Sequence, residues 1–329
     1  MASTLKDVAE RAGVSRSAVS RTFTEGASVS SKTRDKVLAA AKDLDYQPNF
    51  LARGLSTSRT KLIGLVSNNF HNPVFLEVFD LFTRSLQERG LRPLLVNLSD
   101  ETDPEHSIQM LRQYSVDGVI VASSTLPPRF SRLFRDAGLP VVHTFGRYAP
   151  KPDVHTVGID NVDCGRMAAQ ALLAKGYRHV GYLGGPDTAT SAVDRFEGFC
   201  QILKQHPKVD MVHRYAASYS FDAGRTAMLQ ELSNTPAEAY FCADDVLSIG
   251  AMSAVQQSGR KVPEDIGIIG LNDMEIARWN NISLTTIRQP IDEIVKASVE
   301  QVVAMLDDPG RPAKATLFPC HVVYRSTLR

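Results

Sequence analysis

Residues 4–23 read Thr4-Leu5-Lys6-Asp7-Val8-Ala9-Glu10-Arg11-Ala12-Gly13-Val14-Ser15-Arg16-Ser17-Ala18-Val19-Ser20-Arg21-Thr22-Phe23, and they decide how the chain begins. Leu5, Val8, Ala9 and Ala12 recur at helical spacing, with Thr4 placed to cap and Asp7 three residues on. Gly13 ends that helix by taking a left-handed conformation. Ser15 caps a second helix over Arg16 to Phe23. Only Gly13-Val14-Ser15 separates the two, and so tight a turn between short helices predicts a helix-turn-helix. A third helix from Ser31 to Leu44 would present Val37, Leu38, Ala41 and Leu44 inward.

Charge supports a nucleic-acid role for this head. Residues 1–61 hold 11 Lys and Arg against 6 Asp and Glu, a balance of +5, whereas the remainder holds 26 against 30, a balance of −4. A basic head on a mildly acidic body points to a polyanionic partner. In a helix-turn-helix the second helix enters the major groove with its first residues leading. Here those are Arg16 and Ser17, with Arg21 one turn later. Arginine can bond guanine O6 and N7 together, and serine is an adaptable partner. The competing reading leaves both arginines as solvated surface charges.

Tyr46-Gln47-Pro48-Asn49 and Ala52-Arg53-Gly54-Leu55-Ser56 follow. Pro48 suits a first helical turn. Asn49 to Ser56 could make two turns, marginal alone because isolated helices shorter than about 12 residues are barely stable. A marginal helix bearing an exposed leucine makes sense if it orders on binding.

Together the segments Thr4-Leu5-Lys6-Asp7-Val8-Ala9, Ala12-Gly13-Val14-Ser15, Val19-Ser20-Arg21, Tyr46-Gln47-Pro48-Asn49 and Ala52-Arg53-Gly54-Leu55 resemble the head of the LacI/GalR family of bacterial repressors. The resemblance implies DNA contacts from Thr4, Leu5, Ser15, Arg16, Ser17, Ser20, Arg21, Tyr46, Asn49, Ala52, Arg53 and Leu55. It implies that two hinge helices meet in the minor groove. Leu55 would be the wedge there, unstacking a flexible step and kinking the duplex at a cost of a few kcal/mol. Ala18 and Thr24 depart from the family's usual Thr and Asn, which leaves the operator sequence open.

Beyond residue 60, apolar strand-like runs alternate with helical patterns. Leu62–Val66 precedes a helix from Pro73 to Arg89, and Pro93–Val96 one over about 105–114. Gly118–Val121 and Val141-Val142 continue the series. A second series starts at Val157-Gly158-Ile159 and passes through Val180–Leu183 and Ala239–Cys242 to Ile266–Ile269. Short apolar strands alternating with helices imply buried parallel sheets covered on both faces. The fold class expected is an all-α helix-turn-helix head plus an α/β body of two doubly wound parallel-sheet lobes. A ligand cleft is expected at the carboxyl ends of the strands. The tail, Ile291–Leu306 and strands near Leu317 and Val322, should cross back between lobes. The domains are then 1–46 for the head, 47–60 for hinge helix and linker, and 61–329 for a two-lobed ligand-binding and dimerisation body.

The body is also similar to the family core, itself like periplasmic sugar-binding proteins. The motifs are Asn72-Pro73-Val74-Phe75, Gly158-Ile159-Asp160-Asn161, Asp194-Arg195-Phe196-Glu197-Gly198-Phe199, Asp244-Asp245-Val246-Leu247 and Gly270-Leu271-Asn272-Asp273. That resemblance implies a pocket of Phe75, Phe145, Asp160, Arg195, Tyr219, Asp245 and Asn272. Carboxylates, an amide and a guanidinium would bond hydroxyls while aromatics cover the apolar faces of a ring. Asn272 stands where many members have Asp, and one carboxylate fewer beside Arg195 keeps a sugar acid open. Each residue also has a plainer reading: Asp245 as a helix cap, Arg195 paired at the surface with Asp194 or Glu197, the aromatics as core.

Chemistry of other kinds finds no support. There is no Gly-x-Ser-x-Gly elbow, Walker loop or His-Glu-x-x-His. Gly181-Tyr182-Leu183-Gly184-Gly185-Pro186 is not a dinucleotide fingerprint and reads as a tight turn at the cleft edge. The cysteines Cys164, Cys200, Cys242 and Cys320 fit no metal spacing. No cofactor is expected, and no membrane span, since no run reaches about 18 apolar residues. The N-terminus lacks an apolar signal core, so a cytoplasmic protein is expected. A homodimer is expected too, because no leucine heptad tail follows Arg325. The reading is a ligand-responsive, sequence-specific DNA-binding regulator, a repressor of sugar or sugar-acid utilisation acting on palindromic double-stranded operator DNA. The alternatives are a cytosolic sugar-processing enzyme or a solute-binding protein with a fortuitous head.

Overall fold

The computed structural model describes residues 3–24, 26–47, 59–98 and 104–329. The chain divides into two compact units, Met1–Thr60 and Lys61–Arg329. In the first, α1 (Leu5–Ala12), α2 (Arg16–Thr22) and α3 (Ser31–Asp43) form a three-helix head. Thr4 and Asp7 make a reciprocal capping box: the Asp7 amide donates to Thr4 Oγ1 at 3.3 Å, and the Thr4 amide donates to the Asp7 carboxylate at 2.7 Å. Those hydrogen bonds, from Thr4's backbone first and its hydroxyl second, hold the Asp7 carboxyl below its usual range. Gly13 closes α1 at φ 67°, where a side chain would be strained. Ser15 and Ser30 cap α2 and α3 by accepting from Ala18 N and Thr33 N.

The core of the head is Val8, Ala9, Val19, Val37, Ala40 and Ala41, flanked by Leu5, Phe23, Leu44 and Tyr46. Leu38, expected on the inner face, is exposed, and Ala40 takes the inward position. The buried stripe of α3 is thus Val37, Ala40 and Ala41, spaced three and four residues apart on one helix face.

The second unit holds two six-stranded sheets. The first has the order β11-β5-β4-β3-β1-β2, built from β1 (Leu62–Ser67), β2 (Arg92–Asn97), β3 (Gly118–Ala122), β4 (Val141–Thr144), β5 (His155–Gly158) and β11 (Ala315–Leu317). The second has the order β12-β10-β9-β8-β6-β7, from β6 (His179–Gly184), β7 (Asp210–Tyr215), β8 (Ala239–Cys242), β9 (Gly267–Asn272), β10 (Thr285–Arg288) and β12 (His321–Val323). All pairings are parallel except β10 with β12. Strands β3, β4, β5, β8 and β9 are buried along their whole length; β3, β8 and β9 read mainly as apolar runs for that reason, whereas β4 and β5 bury His143, Thr144, His155 and Thr156 as well.

The helices of the first lobe are α4 (Val74–Glu88), α5 (Pro104–Gln113) and α6 (Pro128–Asp136); those of the second are α7 (Asn161–Ala174), α8 (Thr190–Leu203), α9 (Phe221–Leu232) and α10 (Asp245–Gln257). Helix α11 (Ile291–Asp307) returns to pack on α4 and on β3–β5. The chain therefore passes between lobes three times: after β5, after β10, and over residues 318–320 between β11 and β12. The sequence reading opened the second lobe at Val157, but β5 pairs with β4 and belongs to the first sheet. An apolar run announces a buried strand and is silent about which sheet it joins. Among the described residues no helix is long and apolar enough to cross a membrane.

Two details position the cleft. Helices α7 and α8 touch backbone to backbone at Gly165 and Gly198, where a Cβ would overlap the carbonyl oxygens of Arg195 and Val162. Below the carboxyl ends of β8 and β9, Asp245 is fully buried; it accepts from Thr286 Oγ1 at 2.5 Å and from the Met274 amide at 2.9 Å. Burial pushes its carboxyl up to about 7 despite those bonds.

Gly198→Ala should destabilise the body by about 1–3 kcal/mol, overpacking outweighing the roughly 1 kcal/mol that alanine gains in a helix; urea unfolding reads this directly. For Asp245 the folded carboxyl holds its proton to higher pH than the unfolded one. Stability from this group is complete below about pH 4 and is lost as pH rises toward 7, at about 1.4 kcal/mol per pH unit. The stability difference between wild type and Asp245→Asn should therefore fall across that window, and a flat difference would contradict the burial argument.

Candidate functional site

Between the lobes, at the carboxyl ends of the strands, lies a pocket. It is lined by Asn69, Asn72, Val74, Phe75, Val78, Ser124, Phe145 and Ile159 from the first lobe's side and by Arg195, Tyr219, Asp244, Asn272 and Gln289 from the second's. Asp244 sits at its base. In an extended conformation it caps α10, accepting from Val246 N at 2.9 Å through Oδ1, while Oδ2 accepts from the side-chain amides of Asn72 and Asn272, each at 2.9 Å. Burial still raises the Asp244 carboxyl above its usual range, although these hydrogen bonds and Arg195 oppose it. Asn272 in turn accepts from Gln289 Nε2 at 2.6 Å.

Arg195, on α8, is 4% exposed. Its Nε donates to Asn161 Oδ1 at 2.8 Å and one terminal nitrogen donates to the Ala243 carbonyl at 2.5 Å. The guanidinium is thus aimed by α7 and by the end of β8, with donors left for a ligand. Surface pairing with Asp194 does not occur: Asp194 meets Arg147 of the first lobe at 2.6 Å. The Tyr219 hydroxyl is 3.1 Å from Ser191 Oγ, and burial raises its pKa.

The aromatic wall is Phe75, in the first turn of α4, set edge-on to Phe145 with ring centroids 6.1 Å apart. Phe145 has φ 63°, an uncommon state for a bulky residue. Gly158 lies beneath its Cα, leaving room for the turn. Asn272 and Asp273 also have positive φ, 129° and 59°, so strained backbone collects at the cleft. Asp273 is held in place by ion pairs with Arg278, Arg288 and Arg325.

Five of the seven residues expected in a pocket thus come together: Phe75, Phe145, Arg195, Tyr219 and Asn272. Two do not line it. Asp160 caps α7, accepting from the amides of Val162 and Asp163 at 2.9 and 3.1 Å, and its neighbour Ile159 faces the pocket instead. Asp245 points into the second lobe; Asp244 is both helix cap and pocket carboxylate. In an Asp-Asp pair at a helix start, the cap's extended conformation sends adjacent side chains to opposite sides, and the sequence does not say which is which. Asn72 and Gln289 were missed. Asn72 stood within the Asn-Pro-Val-Phe motif, while Gln289, on the second crossover, carried no signal.

On the head, Thr4, Ser15, Arg16, Ser17, Ser20 and Arg21 are exposed and Leu5 and Tyr46 half-buried. The side chains of Arg16 and Arg21 make no ion pair or hydrogen bond among the described residues. Asn49, Ala52, Arg53 and Leu55 lie outside the described residues. Also among the described residues, no group of three or more His, Cys, Asp or Glu side chains could hold a metal ion.

Comparison with known proteins gives the family. Residues 4–49 match the model of bacterial regulatory proteins of the lacI family, and residues 169–328 match a periplasmic binding protein-like domain. The chain is 32% identical over 306 residues to the HTH-type transcriptional repressor PurR of Klebsiella pneumoniae (strain 342), covering 91% of this chain and 89% of that one. It is 29% identical over 328 residues to the ribose operon repressor of Halalkalibacterium halodurans, covering 99% and 97%. Its structure is similar to that of the Lac repressor dimer bound to operator and the anti-inducer ONPF, with TM-score 0.89, 25% identity and 99% of each chain covered. These relatives are transcription repressors and not enzymes. The chain belongs to the lacI family of bacterial regulatory proteins and is a DNA-binding transcriptional regulator.

Proposed function

We propose that the chain is a cytoplasmic, homodimeric repressor of sugar or sugar-acid utilisation genes. In this reading residues 1–46 read a palindromic operator through α2, residues 47–60 form the hinge, and residues 61–329 pair two copies and bind the effector. The carrying observation is the buried arginine and carboxylate facing two aromatic rings in one interlobe pocket. Arg195, Asp244, Asn272 and Gln289 offer donors and acceptors to vicinal hydroxyls, and Phe75 and Phe145 offer an apolar face. The similarity to a ribose operon repressor agrees with that chemistry. For the dimer, Leu76 and Trp279 are 77% and 51% exposed and flank a recess with Leu81 and Ile276, an apolar surface suited to a second copy.

The effector works by differential affinity for lobe arrangements, since a ligand that binds both equally shifts nothing. Closing contacts cross the cleft at Asn72–Asp244, Arg147–Asp194 and Thr190 to the Ser124 carbonyl. A melting-temperature screen with sugars, sugar acids, polyols and nucleobases tests the class. A ligand at about 100 times its Kd stabilises by roughly 2.7 kcal/mol, and stabilisation by nucleobases alone would overturn the sugar reading.

Arg195→Ala should abolish the response to the stabilising compound while operator binding persists, measured by fluorescence anisotropy with and without it. A variant that responds at the same concentration would make Arg195 structural. Arg16→Ala should weaken specific DNA binding by about 1–3 kcal/mol and relax base choice at one position per half-site. Unchanged preference in a binding-selection assay would remove Arg16 from the reading surface.

A further inference from the structure

Helix α8 begins without a side-chain cap. Its neighbours in the second lobe each start on a side chain that accepts from their first amides: Asp160 for α7, Ser220 for α9 and Asp244 for α10. At the same place α8 has Ala189, which offers no such acceptor. The acceptors come from the other lobe. The Ser191 amide donates to the Ser124 carbonyl at 3.3 Å and the Thr190 amide to the Thr125 carbonyl at 3.5 Å, both in the loop between β3 and α6. The Thr190 hydroxyl also donates to the Ser124 carbonyl, at 3.2 Å. At the same end of the helix Asp194, its side chain 7% exposed, meets Arg147 of the first lobe at 2.6 Å.

The contrast between helices decides what these crossing contacts do. The first amides of a helix have no partner within it. A capping side chain satisfies them wherever the other lobe lies, whereas α8 relies on carbonyls that leave when the lobes part. Both amide bonds are longer than the usual value of about 2.9 Å, so they form and break easily. Ser191 carries the effect onward. Its hydroxyl lies 3.1 Å from that of Tyr219, which lines the pocket, whereas Arg147, Thr190, Ser191 and Asp194 do not.

We propose that the first lobe caps α8 across the cleft and that this cap is a closing device. It forms only when the lobes are closed, it steadies the turn that carries Ser191, and through Ser191 it sets the Tyr219 hydroxyl in the pocket wall. Arg147 and Asp194 clamp the same end of the helix and are positioning residues. An effector that favours the closed arrangement finds Tyr219 already placed; this consequence rests on the function proposed above, while the cap itself does not.

The test uses the full-length protein with no small molecule added. Hydrogen exchange on the millisecond scale, read by mass spectrometry, should show the amides of residues 190–191 protected in wild type. In Arg147→Met, which loses the ion pair between the lobes, they should exchange roughly 2–12-fold faster, as the loss of one hydrogen bond implies. Arg147→Lys should keep most of the protection, and residues 196–203 of the same helix should be unchanged. With fluorotyrosine in place of tyrosine, the fluorine NMR resonance of Tyr219, assigned with Tyr219→Phe, should move in both Arg147→Met and Ser191→Ala. Unprotected amides at 190–191 in wild type, or equal exchange there in wild type and Arg147→Met, would overturn the cap. Faster exchange spread evenly along α8 would do the same, since it would mean general loosening. An unmoved Tyr219 resonance in an Arg147→Met protein with faster exchange at 190–191 would refute the link to the pocket. A protein that answers to no sugar leaves each of these results as it is, so failure of the proposed function reads separately.

Discussion

The body is organised around one buried carboxylate. Asp244 could not be taken out of water alone, since an unpaired buried charge costs several kcal/mol. Three donors surround it: the α10 backbone at Val246, Asn272 from the end of β9, and Asn72 from the opposite lobe. Hydrogen bonds to a charged group each contribute about 1.5–3 kcal/mol, so the helix start, the strand end and the lobe seam depend on one side chain. A motion that opens the cleft must take Asn72 away from it. Ligand hydroxyls arriving at the same oxygens would act on the equilibrium between lobe arrangements at its most sensitive contact.

The scaffold around Asp244 concentrates strain and close approach where the chemistry is. Phe145, Asn272 and Asp273 adopt positive φ at the carboxyl ends of β4 and β9. Such residues persist only when their surroundings over-determine them. Here Gly158 makes room for Phe145, and Arg278, Arg288 and Arg325 grip Asp273. Arg325 comes from just past the last strand and so holds Asp273, the residue after the pocket's Asn272. The glycine contacts of α7 with α8 set the distance between Asn161 and Arg195 in the same way. Among the described residues every buried side-chain nitrogen and oxygen has a partner, as a preorganised site requires.

How far the sequence reads correctly follows from the range of the interaction involved. The head was legible almost residue by residue: the Thr4–Asp7 box, the Gly13 stop and the Ser15 cap span three or four positions, and local hydrogen bonds are written in local sequence. The exception, Leu38, is a question of how three helices meet rather than of what one helix prefers. The alternation of buried strands with helices likewise declared a doubly wound body, because strands covered on both faces are mostly apolar.

What the sequence by itself determined was thus the set of elements, their class and the chemistry available: a basic helix-turn-helix, two sheets, and arginine, carboxylate, amide and aromatic side chains beside strand ends. Only the tertiary structure decided that β5 belongs to the first sheet, that Asp244 rather than Asp245 faces the pocket, that Asp160 stays out of it, and that Asn72 and Gln289 join the site. The contacts that build the pocket are long-range, 17 positions apart for Gln289 with Asn272 and 172 for Asn72 with Asp244. Which of two neighbouring carboxylates is buried and which is presented depends on where donors from distant strands fall. That geometry is set by the packing of whole lobes, and no local propensity encodes it.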